Sequence, residues 1–205
     1  MIGGLTGVPA KMKTRFEHAY VLNVVADDHP GIVSAVGGGI IDLAGNIDAC
    51  SQTVLEGFFT LIMIVSFPQP MESDHLAEEV AKRGRGLQVI ARPFVPGLAA
   101  SSDCQGRFVI TAFGCDQPGV IHRFTQYLAG KDINIVDLYG DRSGDQFVMI
   151  SEVEIPCRWE ISVLQADLEE IGKEAGFTVR MQHQDIFVAT NQLRLKAPAE
   201  AGRQE

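Results

Sequence analysis

The chain lacks any apolar run long enough to cross a bilayer. Its longest, residues 58–67, still contains Thr60 and Ser66, and a membrane helix needs about 20 apolar residues. Residues 1–17 carry Lys11, Lys13 and Arg15 but no apolar stretch of the kind a secretory signal requires. They are expected to form a frayed extension, although a trimmed transit peptide or a leader would share their basic character. The four cysteines (Cys50, Cys104, Cys115 and Cys157) form no CxxC pair, and no histidine stands at metal-ligand spacing from them. Reduced thiols in a cytoplasmic compartment and no metal site are therefore expected. Positive charge is scarce: 17 Lys and Arg stand against 26 Asp and Glu, for a net charge of −9. That balance opposes binding to nucleic-acid phosphate, which is driven by Lys and Arg. GxSxG, P-loop and HExxH patterns are also missing, so no catalytic residue and no cofactor are assigned.

What the chain does have is a repeat. Asp28-His29-Pro30-Gly31 returns as Asp116-Gln117-Pro118-Gly119, an offset of 88 residues. The same offset carries Asn46 onto Asn134, Ile47 onto Ile135, Phe59 onto Phe147 and Pro68 onto Pro156. No gap is needed, so one structural unit is used twice. With 205 residues, two domains of about 90 residues each fill the chain.

In the first copy, 20–26 reads as a strand ending at the 27–31 loop. Ile32, Val36, Ile40 and Leu43 then repeat at helical spacing, and Gly45 ends the helix. Residues 47–55 and 58–67 flank a Glu56-Gly57 turn and predict a hairpin with a central second arm. A helix over 73–83 and a strand over 88–94 complete the unit. The second copy predicts strands at 107–114, 133–141 and 146–155, helices from 118 to 130 and around Leu164, Leu168, Ile171 and Ala175, and a last strand at 178–188. Ser162 and Gln165 have capping-box spacing. The expected domains are 18–95 and 107–191, with a Pro/Gly/Ala/Ser-rich linker at 96–106 and a tail at 192–205.

The order β-α-β-β-α-β, twice, specifies an α+β chain of two tandem ferredoxin-like units, each an antiparallel four-stranded sheet with two helices on one face. The other face and the edges are left open, so pairing between units or chains is expected. A strand followed by Asp-x-Pro-Gly-[Ile/Val], then a Gly-Asn-Ile-like start to the next strand, resembles the ACT domain. The run Val25-Ala26-Asp27-Asp28-His29-Pro30-Gly31-Ile32-Val33 is similar to that of bacterial glycine cleavage system transcriptional repressors. The N-terminal domain of formyltetrahydrofolate deformylases shares the pattern. The resemblance implies allosteric binding of an amino acid at an interface between ACT units.

A free amino acid needs an acceptor for its ammonium and donors for its carboxylate. Backbone N–H groups at Gly31, Ile32, Gly119 and Val120 open helices and carry partial positive charge. Asp28 and Asp116 can accept from an ammonium, and Asn46 and Asn134 can both donate and accept. His29, where the second copy has Gln117, either reads the ligand's side chain or is an exposed loop residue. The bland readings stand beside these: an Asp ahead of a helix caps it, and an Asn opening a strand is a turn residue. Gly37-Gly38-Gly39 lies mid-helix, where each Gly costs roughly 1 kcal/mol; either a close contact compensates or the helix is locally weak.

The expected function is a non-catalytic sensor of a small amino acid, of the glycine or serine class, that modulates a protein partner and is itself a homo-oligomer, with a dimer favoured. No nucleic-acid or membrane partner is expected. The alternative is an accessory subunit of an amino-acid or one-carbon enzyme. RNA-recognition motifs share the strand order, but Gln146–Ile150 echoes only faintly their third strand, and the basic residue and most stacking aromatics are missing.

Overall fold

A computed structural model of the chain describes residues 13–95 and 104–194. It divides into two units, Met1–Ala99 and Ala100–Glu205. In the first, β1 (His18–Asp27), α1 (Ile32–Asp42), β2 (Asn46–Leu55), β3 (Phe58–Phe67), α2 (Ser73–Ala81) and β4 (Gln88–Pro93) follow in that order. The strands form one antiparallel sheet ordered β2-β3-β1-β4. Alternation decides which face is covered. Leu22 lies opposite Met63, Val24 opposite Leu61 and Ala26 opposite Phe59, and all six are buried together with Val36 and Ile40 of α1 and Leu76 and Val80 of α2. Full burial of one such side chain contributes about 1.5–3 kcal/mol. On the other face Phe58, Ile62 and Ile90 stay exposed.

The second unit repeats this with β5 (Cys104–Cys115), α3 (Val120–Gly130), β6 (Asn134–Ser143), β7 (Gln146–Pro156), α4 (Ile161–Glu174) and β8 (Phe177–His183), in the sheet order β6-β7-β5-β8. Even the bulge recurs: the register slips between Ile47 and Ala49 and again between Ile135 and Asp137. Its core is centred on Ile110, Phe124, Leu128, Met149, Ile155 and Leu164. The two βαββαβ units are thus the expected ferredoxin-like arrangement. Among the described residues no helix is long and apolar enough to cross a membrane.

The differences from the sequence reading are local. The expected strand over 178–188 stops at His183, and α5 (Gln184–Arg194) takes over. The last pair of β8 is His183 with Phe108, although β5 itself continues to Cys104. Gln184 then reaches Glu152 (3.2 Å), and the Asp185 N–H donates to His183 Nδ1 (3.3 Å), turning the chain into a helix. Strand β5 begins at Cys104, inside the stretch read as linker, because a bulge with Gly106 at φ +142° lets Cys104 pair with Pro156. The capping box does not form: Ser162 bonds to Glu160 and Gln165 to Glu169, and α4 has no side-chain cap.

The glycine run is explained in part. A Cβ on Gly39 would stand 3.4 Å from the Val80 backbone, so this glycine lets α1 and α2 approach closely, whereas Gly38 faces open space. Tyr127 holds the matching position in the second unit. Its hydroxyl donates to Asp167 (2.7 Å), and burial, then that hydrogen bond, raise its pKa above the ordinary tyrosine value.

The residue that turns α1 toward β2 is Ala44, at φ +59°, rather than Gly45. Gly45 is required for its size, since a Cβ there would collide with the Phe67 ring and Ile40. Urea unfolding is expected to show Ala44→Gly stabilising by about 0.5–1 kcal/mol, through relief of left-handed strain. Gly45→Ala is expected to destabilise by about 1–3 kcal/mol through overpacking.

Candidate functional site

Each candidate loop is fixed by the strand before it and the hairpin beside it. The Asp28 N–H donates to Gly57 O (2.8 Å), and the Asp116 N–H donates to Asp145 O (2.8 Å). The chain then turns through Pro30 or Pro118 and enters the helix at a glycine. Gly31 is the N-cap of α1 at φ +100°, and Gly119 is the N-cap of α3 at φ +87°. Both values lie in the left-handed region that favours glycine. Both prolines therefore precede their helices, and the second helix starts at Val120 rather than at Pro118. The side chains of Ile32 and Val120 are buried in the cores, so only their backbones are available to a ligand.

Neither aspartate is a cap. No side chain caps either helix, and the first N–H groups of any helix lack an intrahelical acceptor. Asp28, His29 and Gly31 are exposed, as are Asp116, Gln117 and Gly119. Asp116 makes a long contact with Arg142 (3.4 Å), and His29 Nδ1, when protonated, donates to Pro30 O (3.0 Å). Each loop thus presents an accessible carboxylate beside a helix start without a side-chain cap, although in the second unit the Val120 N–H donates to Gln117 O at 3.3 Å. This is acceptor and donor chemistry suited to a zwitterion.

The asparagines do not join these loops within a unit. Asn46 pairs with Ser66, and Ser66 pairs with Ala19, whereas the loop begins after Asp27. Eight residues of strand separate the two levels, about 26 Å at ~3.3 Å per residue. The second unit repeats the separation, with Asn134 opposite Glu154 and Glu154 opposite Arg107. Nor are the asparagines loop residues: each is the first residue of its strand. Offset matching found equivalent positions; only the strand register shows that they occupy opposite ends of the sheet.

The surroundings of the asparagine ends were not visible beforehand. Asn46 Nδ2 donates to Asp48 Oδ1 (2.9 Å), which also accepts the Arg15 N–H (2.8 Å). Phe16 N–H donates to Ser66 Oγ (3.1 Å). In the second unit the Arg107 guanidinium bridges Glu152 (2.9 Å) and Glu154 (3.1 Å), and Asn134 Nδ2 reaches Glu154 at 3.4 Å. Two glutamates alternating on an otherwise apolar strand were the available signal. Open grooves of about 470 Å³ beside β8 and α4, and about 310 Å³ beside Tyr20 and Met71, contain none of the candidate residues. Among the described residues no three His, Cys, Asp or Glu converge on a metal position.

An ACT-domain profile matches residues 106–182. A UPF0237 protein of Methanosarcina acetivorans is 34% identical over 82 residues, which make up 40% of this chain and 89% of that protein. The chain belongs to the ACT-domain family. A solved structure described as an unknown protein from Galdieria sulphuraria is 23% identical with a TM-score of 0.69, covering 81% of this chain and 98% of the other. One described as a glycine cleavage system transcriptional repressor is 17% identical with a TM-score of 0.59, covering 82% and 98%. At these identities the likeness is one of fold.

Because neither aspartate caps a helix, Asp28→Ala and Asp116→Ala are each expected to change unfolding free energy by less than about 0.5 kcal/mol. A capping aspartate would cost about 1 kcal/mol on the same substitution. Chemical denaturation distinguishes the two.

Proposed function

We propose that the chain is a non-catalytic, cytoplasmic sensor of a small amino acid of the glycine or serine class, which modulates a protein partner. The observation that carries this reading is the doubled loop, where an exposed aspartate stands before a glycine-capped helix start that no side chain occupies. The ligand carboxylate takes the N–H groups at Gly31 and Ile32, or at Gly119 and Val120, the last in exchange for its 3.3 Å bond to Gln117 O. Asp28 or Asp116 accepts from the ammonium, and His29 or Gln117 meets the ligand's side chain. Glycine before the helix leaves room for that approach, and a small ligand suits a loop with no enclosing walls.

Magnitudes argue that one loop is not enough. An exposed helix start contributes about 0.3–1 kcal/mol toward an anion, whereas even a millimolar dissociation constant corresponds to about 4 kcal/mol. The missing contacts come from the asparagine end of another ACT sheet, brought by a second copy of the chain. Ligand would then favour the assembled state over the free one, and that difference is what a protein partner reads. The neighbour described as a glycine cleavage system transcriptional repressor supports a regulatory role and glycine as the first ligand to try.

A thermal-shift panel of the twenty amino acids on the full chain tests this. A ligand at ~100 times its dissociation constant adds about 2.7 kcal/mol, and the shift is expected for glycine or serine and to shrink in Asp28→Ala/Asp116→Ala. No response to any amino acid would sink the proposal.

A further inference from the structure

The open face of the first sheet is uncharged across its middle. The register sets Ser51, Ile62, Asn23 and Ile90 side by side over all four strands, and the next row toward the hairpin turn is Thr53, Thr60, Val25 and Gln88. Charge stands only at the margins, with Arg92 opposite Val21 on the edge strand and Asp27 opposite Phe58 at the end of β1. Scattered apolar side chains on a surface are ordinary. Here Val25, Leu55, Phe58, Ile62 and Ile90 share one face, and they are between 44% and 68% exposed. A contiguous patch of that kind marks an interaction site.

The matching face of the second unit is built from different chemistry. Glu154 stands opposite Arg107, Asp137 opposite Glu152, and Arg180 opposite Thr111. Gln184, at the start of α5, donates to Glu152 on this face. Ile150 keeps the place of Ile62 in the repeat, but charged rows lie beside it. Covering them with an apolar surface would strip their hydration.

We infer that the open face of the first sheet is where two copies of the chain meet, stacked sheet on sheet about a two-fold axis. Self-complementarity names the second copy as the occupant. A two-fold contact lays one patch on itself, which an uncharged patch allows without like-charge repulsion. The Ser51, Thr53 and Thr60 hydroxyls and the Asn23 amide each donate and accept, so they can pair with their own kind. Arg92 lies toward one end of β1 and Asp27 at the other, so a stack with opposed strand directions brings unlike charges toward each other. About eight residues of strand (~26 Å) by four strands (~19 Å) make roughly 500 Å² per copy, and the pair buries about 1,000 Å², enough for a specific interface. The Asp28 loop and Asn46 stand at the two ends of this face, so the dimer forms without ligand and does not rest on the amino-acid reading.

Sedimentation equilibrium of the full chain, with no amino acid added, tests the contact. The parent is expected to be a dimer. Ile62→Glu places a charge at the centre of the face and is expected to raise the dissociation constant at least about a hundredfold. Ile90→Ser trims a side chain that is 68% exposed; it is expected to keep the parent's circular dichroism and to weaken the dimer about tenfold. Ile150→Glu, the same change at the matching place in the second unit, is expected to leave the dimer intact. A monomeric parent, whatever covers the face in it, overturns the inference. So does a dimer that survives both first-unit variants, or one that Ile150→Glu dissolves as readily as Ile62→Glu. Any of these results leaves the sensing reading to be decided by the thermal-shift panel.

Discussion

The unbroken ladder between β1 and β3, and its counterpart between β5 and β7, is the constraint on which each unit depends. Ten consecutive pairs run from His18–Phe67 to Asp27–Phe58. A slip of one residue would turn Leu22, Val24 and Met63 to the open face and expose the core. The neighbouring β2–β3 ladder is closed by the Glu56-Gly57 turn, both residues at positive φ, a geometry that matches the twist of the strands it joins. Once the β1–β3 pair is in register, β2 and β4 attach at its flanks, and the helices have one apolar surface to cover.

Helix packing shows how the same frame tolerates different solutions. Beneath α1 the gap to α2 is closed by Gly39 against Val80. Beneath α3 the same position carries Tyr127, whose ring packs on the core and whose hydroxyl is satisfied by Asp167. Lys131 lies over the Tyr127 and Trp159 rings, 5.5 and 4.4 Å from their centroids, and its carbonyl accepts the Trp159 indole N–H at 2.7 Å. The first unit thus gains contact by bringing backbones together, and the second by filling the space with aromatic side chains. Both leave the loop before the helix free of core-packing duties, which is why Asp28 and Asp116 stay exposed.

That separation connects fold to function. The ladder sends the two polar features of each repeat to opposite ends of the sheet, so a small molecule cannot touch both within one unit. On the reading proposed above, each unit offers two half-surfaces, and recognition of a ligand would be coupled to assembly. The contacts of the Arg15 and Phe16 N–H groups with Asp48 and Ser66 follow from the same geometry, since the chain entering β1 passes the asparagine end of its own sheet.

The sequence by itself determined the repeat, the element order and most of the strand boundaries, because alternation and helical spacing are local properties of the chain. It also marked Gly31 and Gly119, although it began the second helix at Pro118, two residues before Val120, and left open whether the aspartates cap them. What only the tertiary structure decided depends on residues far apart in the chain. The end of β8 at His183 goes with the contacts that Gln184 makes to Glu152 and Asp185 to His183. The need for Gly45 comes from the Phe67 ring, and the engagement of Asn46 from Asp48 and the passing backbone of Arg15. Above all, the distance between Asp28 and Asn46 is a matter of register. Register is set by cross-strand pairing and burial, which no spacing along the sequence records.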